Sequence, residues 1–240
     1  MLLHAFPLSS AMWDRMAAHL ETLRDDTALL MIDFPGFGES TPRVNWSLAT
    51  LPLEIRGTIE RHTRKKVTVA GLSLGGYAAF EFYRMNPGLV RALVLSNTKA
   101  EADTEEEKKG RMEFAADAIL RGADAAIDRM YSKFVTVDTD PEIAIDIRTW
   151  MSAANPEAIA AALRAMAARD DSREFLPLIT VPSLVIASEH DEIIKSSTMR
   201  EMARLLENSS FVEIASASHL SAVDHPEEWA EALASFLDRV

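Results

Sequence analysis

Cysteine is absent from this 240-residue chain. That excludes a disulfide framework and a thiolate-bound zinc site. Glycine is scarce, nine residues in all, and five of them sit in two short stretches, 33–40 and 71–76. Glycine here serves backbone geometry rather than filler. No apolar run approaches the roughly 18 residues of a membrane span. The opening Met1-Leu2-Leu3-His4-Ala5-Phe6-Pro7 lacks the basic region and the length of a signal peptide. A cytoplasmic protein is the expectation. Positive charge is in deficit: 25 Lys and Arg against 37 Asp and Glu give a formal net charge of −12. That balance disfavours nucleic acid and anionic membrane as partners and serves solubility. What the chain does have is apolar material, 48% of its residues, enough for the core of one generous domain or a domain with an insertion.

The most informative stretch is Val67-Thr68-Val69-Ala70-Gly71-Leu72-Ser73-Leu74-Gly75-Gly76. A β-branched apolar run ends abruptly in Gly-x-Ser-x-Gly, and a helical pattern follows at once. Strand, strained turn and helix form the context that an exposed serine nucleophile requires. Side chains at positions 71 and 75 would collide with neighbouring backbone, and Gly76 lets the following helix pack closely. Read blandly, the same stretch is a strand–helix connection whose serine is only an N-cap.

Around this turn the chain alternates strand and helix. Leu2 and Leu3 begin a strand, and a helix is predicted over 12–23 from apolar residues at helical spacing. The continuous apolar run 27–32 has strand length and reads as buried on both faces. Helices are predicted over 47–62 and 77–85, with a buried strand over 92–95. From Lys99 the character changes to an Ala- and Met-rich region reaching about residue 180. Its acidic start, Glu101 to Glu107, suits a helix N-terminus. Helices are expected within it over 123–134, 141–151 and 156–168. Strand character returns over 183–187 and 211–214, separated by a helix over 197–206, and a helix over 226–237 closes the chain. The sum is an α/β fold: a mostly parallel sheet covered by helices on both faces, built from residues 1–98 and 181–240, with a helical cap inserted over 99–180.

In such sheets ligands bind at the carboxyl ends of the strands. The polar residues placed there are His4, Asp33, Ser73, Asn97, Asp191 and His219. A serine hydroxyl needs a base to take its proton, and the base needs a third group to hold its tautomer. Of six histidines, His19 and His62 fall on helices, His190 precedes Asp191 and reads as solvated, and His225 suits a helix cap. His4 fits better as a loop-ordering residue. His219 alone follows the last strand, downstream of Ser73 and Asp191. The order Ser73, Asp191, His219 supplies nucleophile, orienting acid and general base. Leu74 opens a helix, so its N–H favours a developing oxyanion.

These segments resemble the α/β-hydrolase superfamily, in particular its small esterase, enol-lactonase and cofactor-free haloperoxidase-like (perhydrolase) branch. His4-Ala5-Phe6-Pro7 resembles the His-Gly-Phe-Pro oxyanion loop, and Asp33-Phe34-Pro35-Gly36-Phe37-Gly38-Glu39-Ser40 the Asp-x-Pro-Gly-x-Gly-x-Ser loop. Ser188-Glu189-His190-Asp191 is similar to the Gly-x-x-Asp acid loop, and Ser218-His219 stands where Gly-His is common. The resemblance implies an oxyanion hole from the N–H groups of Leu74 and Phe6, no cofactor and no metal. It also implies a small ester or lactone as substrate. Ala5, Ser188 and Ser218 depart from it by replacing glycines. The strands that usually precede the oxyanion strand are missing, which predicts a shortened sheet edged by 27–32. A homodimer, or the loop over 42–46, is expected to cover that edge. Met130, Phe134 and Trp150 are the apolar candidates for the pocket roof, with cap core as the alternative for each.

The expected activity is a serine esterase that cleaves small carboxylic esters or lactones. Perhydrolase chemistry would use the same triad with peroxide. A non-enzymatic ligand receptor on the same fold is the third reading.

Overall fold

The structure, a computed structural model, describes residues 1–43 and 45–240. Six strands form one sheet: β1 (Leu2–Leu3), β2 (Met31–Ile32), β3 (Val67–Leu72), β4 (Val90–Ser96), β5 (Ser183–Ser188) and β6 (Ser209–Ile214). Their order is β2-β1-β3-β4-β5-β6, and every pairing is parallel. Parallel neighbours need long crossovers. Helices supply them: α1 (Asp14–Leu23), α2 (Leu51–His62) and α3 (Leu74–Met85) precede β4. Four more, α4 (Glu105–Arg121), α5 (Asp124–Met130), α6 (Pro141–Ala153) and α7 (Pro156–Ala167), lie between β4 and β5. α8 (Ser196–Leu205) precedes β6, and α9 (Ser221–Asp224) and α10 (Pro226–Leu237) end the chain. β5 is buried along its whole length and β4 everywhere except Arg91. A strand with both sets of alternating side chains buried is covered on both faces.

The apolar run 27–32 departs from expectation. Only Met31 and Ile32 are strand, both are half-buried, and Ala28 is exposed. The cause is the neighbour. β2 pairs only with β1, which offers two residues, Leu2 and Leu3. β2 is the sheet edge as predicted, yet an edge this short is a small template for unwanted pairing. Of the loop over 42–46, Val44 lies outside the described residues. Trp46 is buried and stacks on Phe34, with ring centroids 6.2 Å apart.

Among the described residues, the chain between β4 and β5 is helical or irregular, with no strand. Its first helix begins with a capping box, in which Thr104 and Glu107 each bond the other's backbone N–H. Asp140 and Asn155 cap α6 and α7. Entry and exit of this segment are stitched together where they leave the sheet. Ser172 N–H donates to Ala100 O at 2.8 Å, and the Arg169 guanidinium donates to Glu101 O at 2.8 Å. Arg169 also pairs with the fully buried Asp103 carboxylate at 2.7 Å. Arg111 and Lys99 pair with the same carboxylate, so the buried Asp103 gathers three cations where the helical segment begins and ends.

Candidate active site

β3 ends at Leu72 and α3 begins at Leu74, so Ser73 is the whole connection. Its backbone is at φ 56, ψ −113, a sparsely populated region for a residue with a side chain. The surrounding glycines make that turn feasible. A Cβ on Gly71 would lie 2.2 Å from Gly75 O, and one on Gly75 would lie 2.1 Å from Leu3 O. A Cβ on Gly76 would meet Thr98 Cγ2 at 2.5 Å. Ser73 is held by backbone: its N–H donates to Ser96 O at 2.9 Å, and its carbonyl accepts from Thr98 Oγ1 at 2.9 Å.

Leu74 is the first residue of α3, so its N–H is one of the donors that a helix start leaves without an intrahelical partner. Leu3 pairs with Gly71 in the β1–β3 ladder. The chain from His4 to Phe6 therefore leaves the sheet beside the turn. The Phe6 ring packs edge-on to Phe37 and Phe114, at 6.3 and 6.0 Å between centroids.

His4 orders this loop. Its Nε2 accepts the Phe34 N–H at 3.0 Å, and its Nδ1 donates to Ala5 O at 2.9 Å. The bond from Phe34 requires the Nε2 lone pair and so the neutral ring, and burial holds the His4 imidazole down at about 4, against opposing pulls from the Ala5 carbonyl and Asp33. Its ordinary value of 6.5 returns on unfolding. Between those two values the unfolded chain binds a proton that the folded chain does not, so stability falls as pH drops below 6.5. The expected loss by pH 4 is roughly 3 kcal/mol, from about 1.4 kcal/mol per unit. Urea midpoints measured from pH 7 downward test it, and His4→Gln should flatten that part of the slope. The neighbouring Asp33 serves structure as well: its carboxylate accepts from Ser10 N–H at 2.7 Å and Glu39 N–H at 2.9 Å.

Asp191 and His219 meet in the interior. His219 Nδ1 lies 2.8 Å from Asp191 Oδ2, and both side chains are buried. A carboxylate only accepts, so Nδ1 carries a proton, and in the neutral ring Nε2 keeps its lone pair. The other oxygen, Oδ1, accepts the Ile193 and Ile194 N–H groups at 2.7 and 2.9 Å. Asn97 Nδ2 adds a donor to Oδ2 at 2.9 Å. Burial alone would push the Asp191 carboxyl up. The His219 ring and the donors of His219, Ile194 and Asn97 outweigh it and hold the group below its ordinary value.

Hydrogen bonds beyond the strand ends join these loops in sheet order. Asn97 N–H donates to Ile186 O at 3.0 Å, Glu189 N–H to Ile214 O at 3.1 Å, and His190 N–H to Ala217 O at 2.9 Å. The structure thus brings Asp191 and His219 into direct contact and ties both, through residues 96–98, to the backbone of Ser73.

The remaining histidines stand apart from this set. His62 and His190 are exposed, and His19 is half-buried on α1. His225 occupies the N-cap of α10, but its side chain makes no capping bond; its ring faces Asp224 at 3.2 Å. The expected capping role is not what the ring does.

Of the three apolar roof candidates, Phe134 reaches the site. Its ring lies nearly parallel to His219, 5.8 Å between centroids and 12° between planes. Ser218, in a place where glycine is common, donates its hydroxyl to Phe134 O at 2.9 Å and so holds the helical segment against the histidine. Met130 and Trp150 are half-buried residues packed against the core. Neither lines the open cavity of about 510 Å³ bounded by Lys133, Thr136, His190, Glu192 and Ser218. Phe114 was not anticipated beside Phe6. Nothing local distinguishes it from any other apolar helix residue. Among the described residues, no three His, Asp or Glu side chains group as a metal site, and no helix is long and apolar enough to cross a membrane.

A parallel sheet that presents a strained serine on its strand-to-helix turn and a buried His–carboxylate pair on later loops has the build of an α/β hydrolase. The chain belongs to the alpha/beta hydrolase fold family, whose model matches residues 1–226. It is similar to a thermophilic esterase from Thermogutta terrifontis solved with malate bound. The two share 31% identity and a TM-score of 0.95 over 99% of this chain and 88% of that one. A pimeloyl-[acyl-carrier protein] methyl ester esterase from Vibrio vulnificus is 24% identical over 243 residues, covering 98% of this chain and 92% of the relative. A 3-oxoadipate enol-lactonase from Acinetobacter baylyi is 24% identical over 230 residues, covering 95% and 84%.

Proposed function

We propose that this chain hydrolyses small carboxylic esters or lactones through an acyl-enzyme on Ser73. That it is a carboxylic ester hydrolase follows from its family and from relatives named as esterases and an enol-lactonase. The observation that carries the serine route is the buried Asp191–His219 hydrogen bond, 2.8 Å long, joined by the residues after β4 to the backbone of the strained Ser73. In this mechanism His219 Nε2 takes the Ser73 hydroxyl proton as Oγ attacks the ester carbonyl. The carbonyl oxygen becomes an oxyanion, which the N–H groups of Leu74 and Phe6 stabilise. Each such donor contributes about 3 kcal/mol to the transition state. The imidazolium, held by Asp191, returns the proton to the leaving alkoxide, and the C–O bond breaks. Water then attacks the acyl-enzyme, with His219 again as base, releasing the acid and restoring Ser73.

The aromatic surroundings of the oxyanion loop, Phe6 with Phe37 and Phe114, favour an apolar acyl group over a charged one. A panel of aryl esters and lactones of graded acyl length is the first assay, paired with an organophosphonate probe and peptide mass mapping. Turnover that declines as a charge is added near the carbonyl, with the probe attached to the peptide bearing Ser73, is the expected result. Turnover with the probe on a different residue, or on none, would sink the acyl-enzyme. Adding peroxide to the same assay distinguishes perhydrolysis from hydrolysis by the same residues.

A further inference from the structure

We propose that Asn97 is the positioning residue for Asp191: its side-chain amide sets the carboxylate that in turn holds His219. This role depends on the Ser73 acyl-enzyme route proposed above. Asn97 directly follows β4, is fully buried, and sits at φ 45, a left-handed conformation that asparagine tolerates better than most residues. Its amide is engaged in four directions. Nδ2 donates to Asp191 Oδ2 at 2.9 Å and to Ser188 Oγ at 2.8 Å. Oδ1 accepts from Ser96 Oγ at 2.9 Å and Ser221 Oγ at 2.8 Å. Hydroxyls can donate or accept, but the Asp191 carboxylate only accepts, so the amide has one satisfactory orientation. Trp229 Nε1 in turn donates to Ser96 Oγ at 3.1 Å and seats that serine.

The consequence for Asp191 follows from counting its donors. Oδ1 is already fixed by two backbone N–H groups. Without Asn97, His219 would be the sole side-chain donor to Oδ2, and the carboxylate plane would be set by the group it is meant to orient. Asn97 supplies an independent second donor, and it does so without adding a charge. Asp191 is the titratable group in contact with the amide, and His219 follows through it; His190 and Glu192 flank Asp191 in sequence but are exposed. Ser188, which replaces a glycine common in similar acid loops, takes the second amide N–H. Thr98, the next residue, holds the Ser73 carbonyl. Residues 96–98 thus fix nucleophile and acid from one short segment.

Asn97→Asp and Asn97→Gly test the role. kcat and KM for an aryl ester are measured over roughly pH 5 to 9, with urea midpoints at each pH. Asn97→Asp is nearly isosteric and tolerates the same φ. Protonated, it donates to Asp191 Oδ2 as the amide does. Ionised, it places a second negative charge against Asp191, and like charges in one buried site raise the apparent pKa of the pair. Its activity is therefore expected to lie nearest the parent's at the acid end and to decline as pH rises, a limb the parent lacks. Asn97→Gly keeps the backbone unstrained and removes the donor; kcat is expected to fall about tenfold or more with KM within about twofold. An Asn97→Asp profile parallel to the parent's, or an Asn97→Gly variant with parental kcat, overturns the role. Ser73→Ala run alongside keeps the two proposals distinct. If it turns over at the parental rate, the acyl-enzyme route fails. If it is inactive while both Asn97 variants match the parent, only the Asn97 role fails.

Discussion

Ser73→Ala is expected to lower kcat for an aryl ester by roughly 10⁴- to 10⁶-fold while leaving the fold intact. The size of the loss comes from the chemistry. Without Oγ there is no acyl-enzyme, and what remains is whatever water can achieve beside the oxyanion donors. The intact fold comes from the structure. The bonds that hold residue 73 are backbone N–H to Ser96 O and Thr98 Oγ1 to its own carbonyl, and alanine keeps both. Alanine also meets the same backbone strain at φ 56, so the urea midpoint should shift by less than about 1 kcal/mol in free-energy terms. KM should change little if the hydroxyl acts only in the reacting state. A variant that keeps parental turnover would show that Ser73 is not the nucleophile.

The turn bearing Ser73 was legible because its signal is local. A β-branched run, glycines two residues either side of a serine and a following helix specify one backbone path, and the collisions that a Cβ would cause at Gly71, Gly75 and Gly76 are the reason. Asp191 and His219 were legible from chain order and from their places after β5 and β6. Their contact is a property of sheet order, which parallel pairing of β4, β5 and β6 provides. Asn97 was visible only as a polar residue at a strand end. Its partners are its neighbour Ser96, Ser188 and Asp191 at the two ends of one loop, and Ser221. The last three lie about ninety residues or more along the chain, so no spacing in the sequence announces them. The Phe134–His219 stack is likewise a meeting of the helical segment with a loop more than eighty residues later. The run over 27–32 misled for the opposite reason: its own residues favour a strand, but strand length is set by the partner, and β1 provides only Leu2 and Leu3.

Gly75→Ala is the second substitution with a large expected effect, and its sign needs two terms. Gly75 is the second residue of α3, and in an open helix alanine would be favoured by about 1 kcal/mol. Here the added Cβ would lie 2.1 Å from Leu3 O and 2.7 Å from Leu3 C. Neither is a flexible side-chain end that can swing aside. Relief requires the end of β1 and the start of α3 to separate by about 1 Å, and overpacking of this kind typically costs 1–3 kcal/mol or more. The steric term wins. The same displacement falls on the chain that carries Phe6 and on the helix start that carries Leu74, the two proposed oxyanion donors. A misplacement of about 1 Å there is worth roughly 10²-fold in rate. Gly75→Ala is therefore expected to lower both the urea midpoint and kcat, with the loss in kcat exceeding what the unfolded fraction explains. Gly88→Ala is the matched control, since a Cβ there meets nothing within 4 Å, and it should alter neither quantity appreciably. A Gly75→Ala protein with parental stability and parental kcat would show that the two segments are not held as close as their contact implies, and that the oxyanion donors do not depend on it.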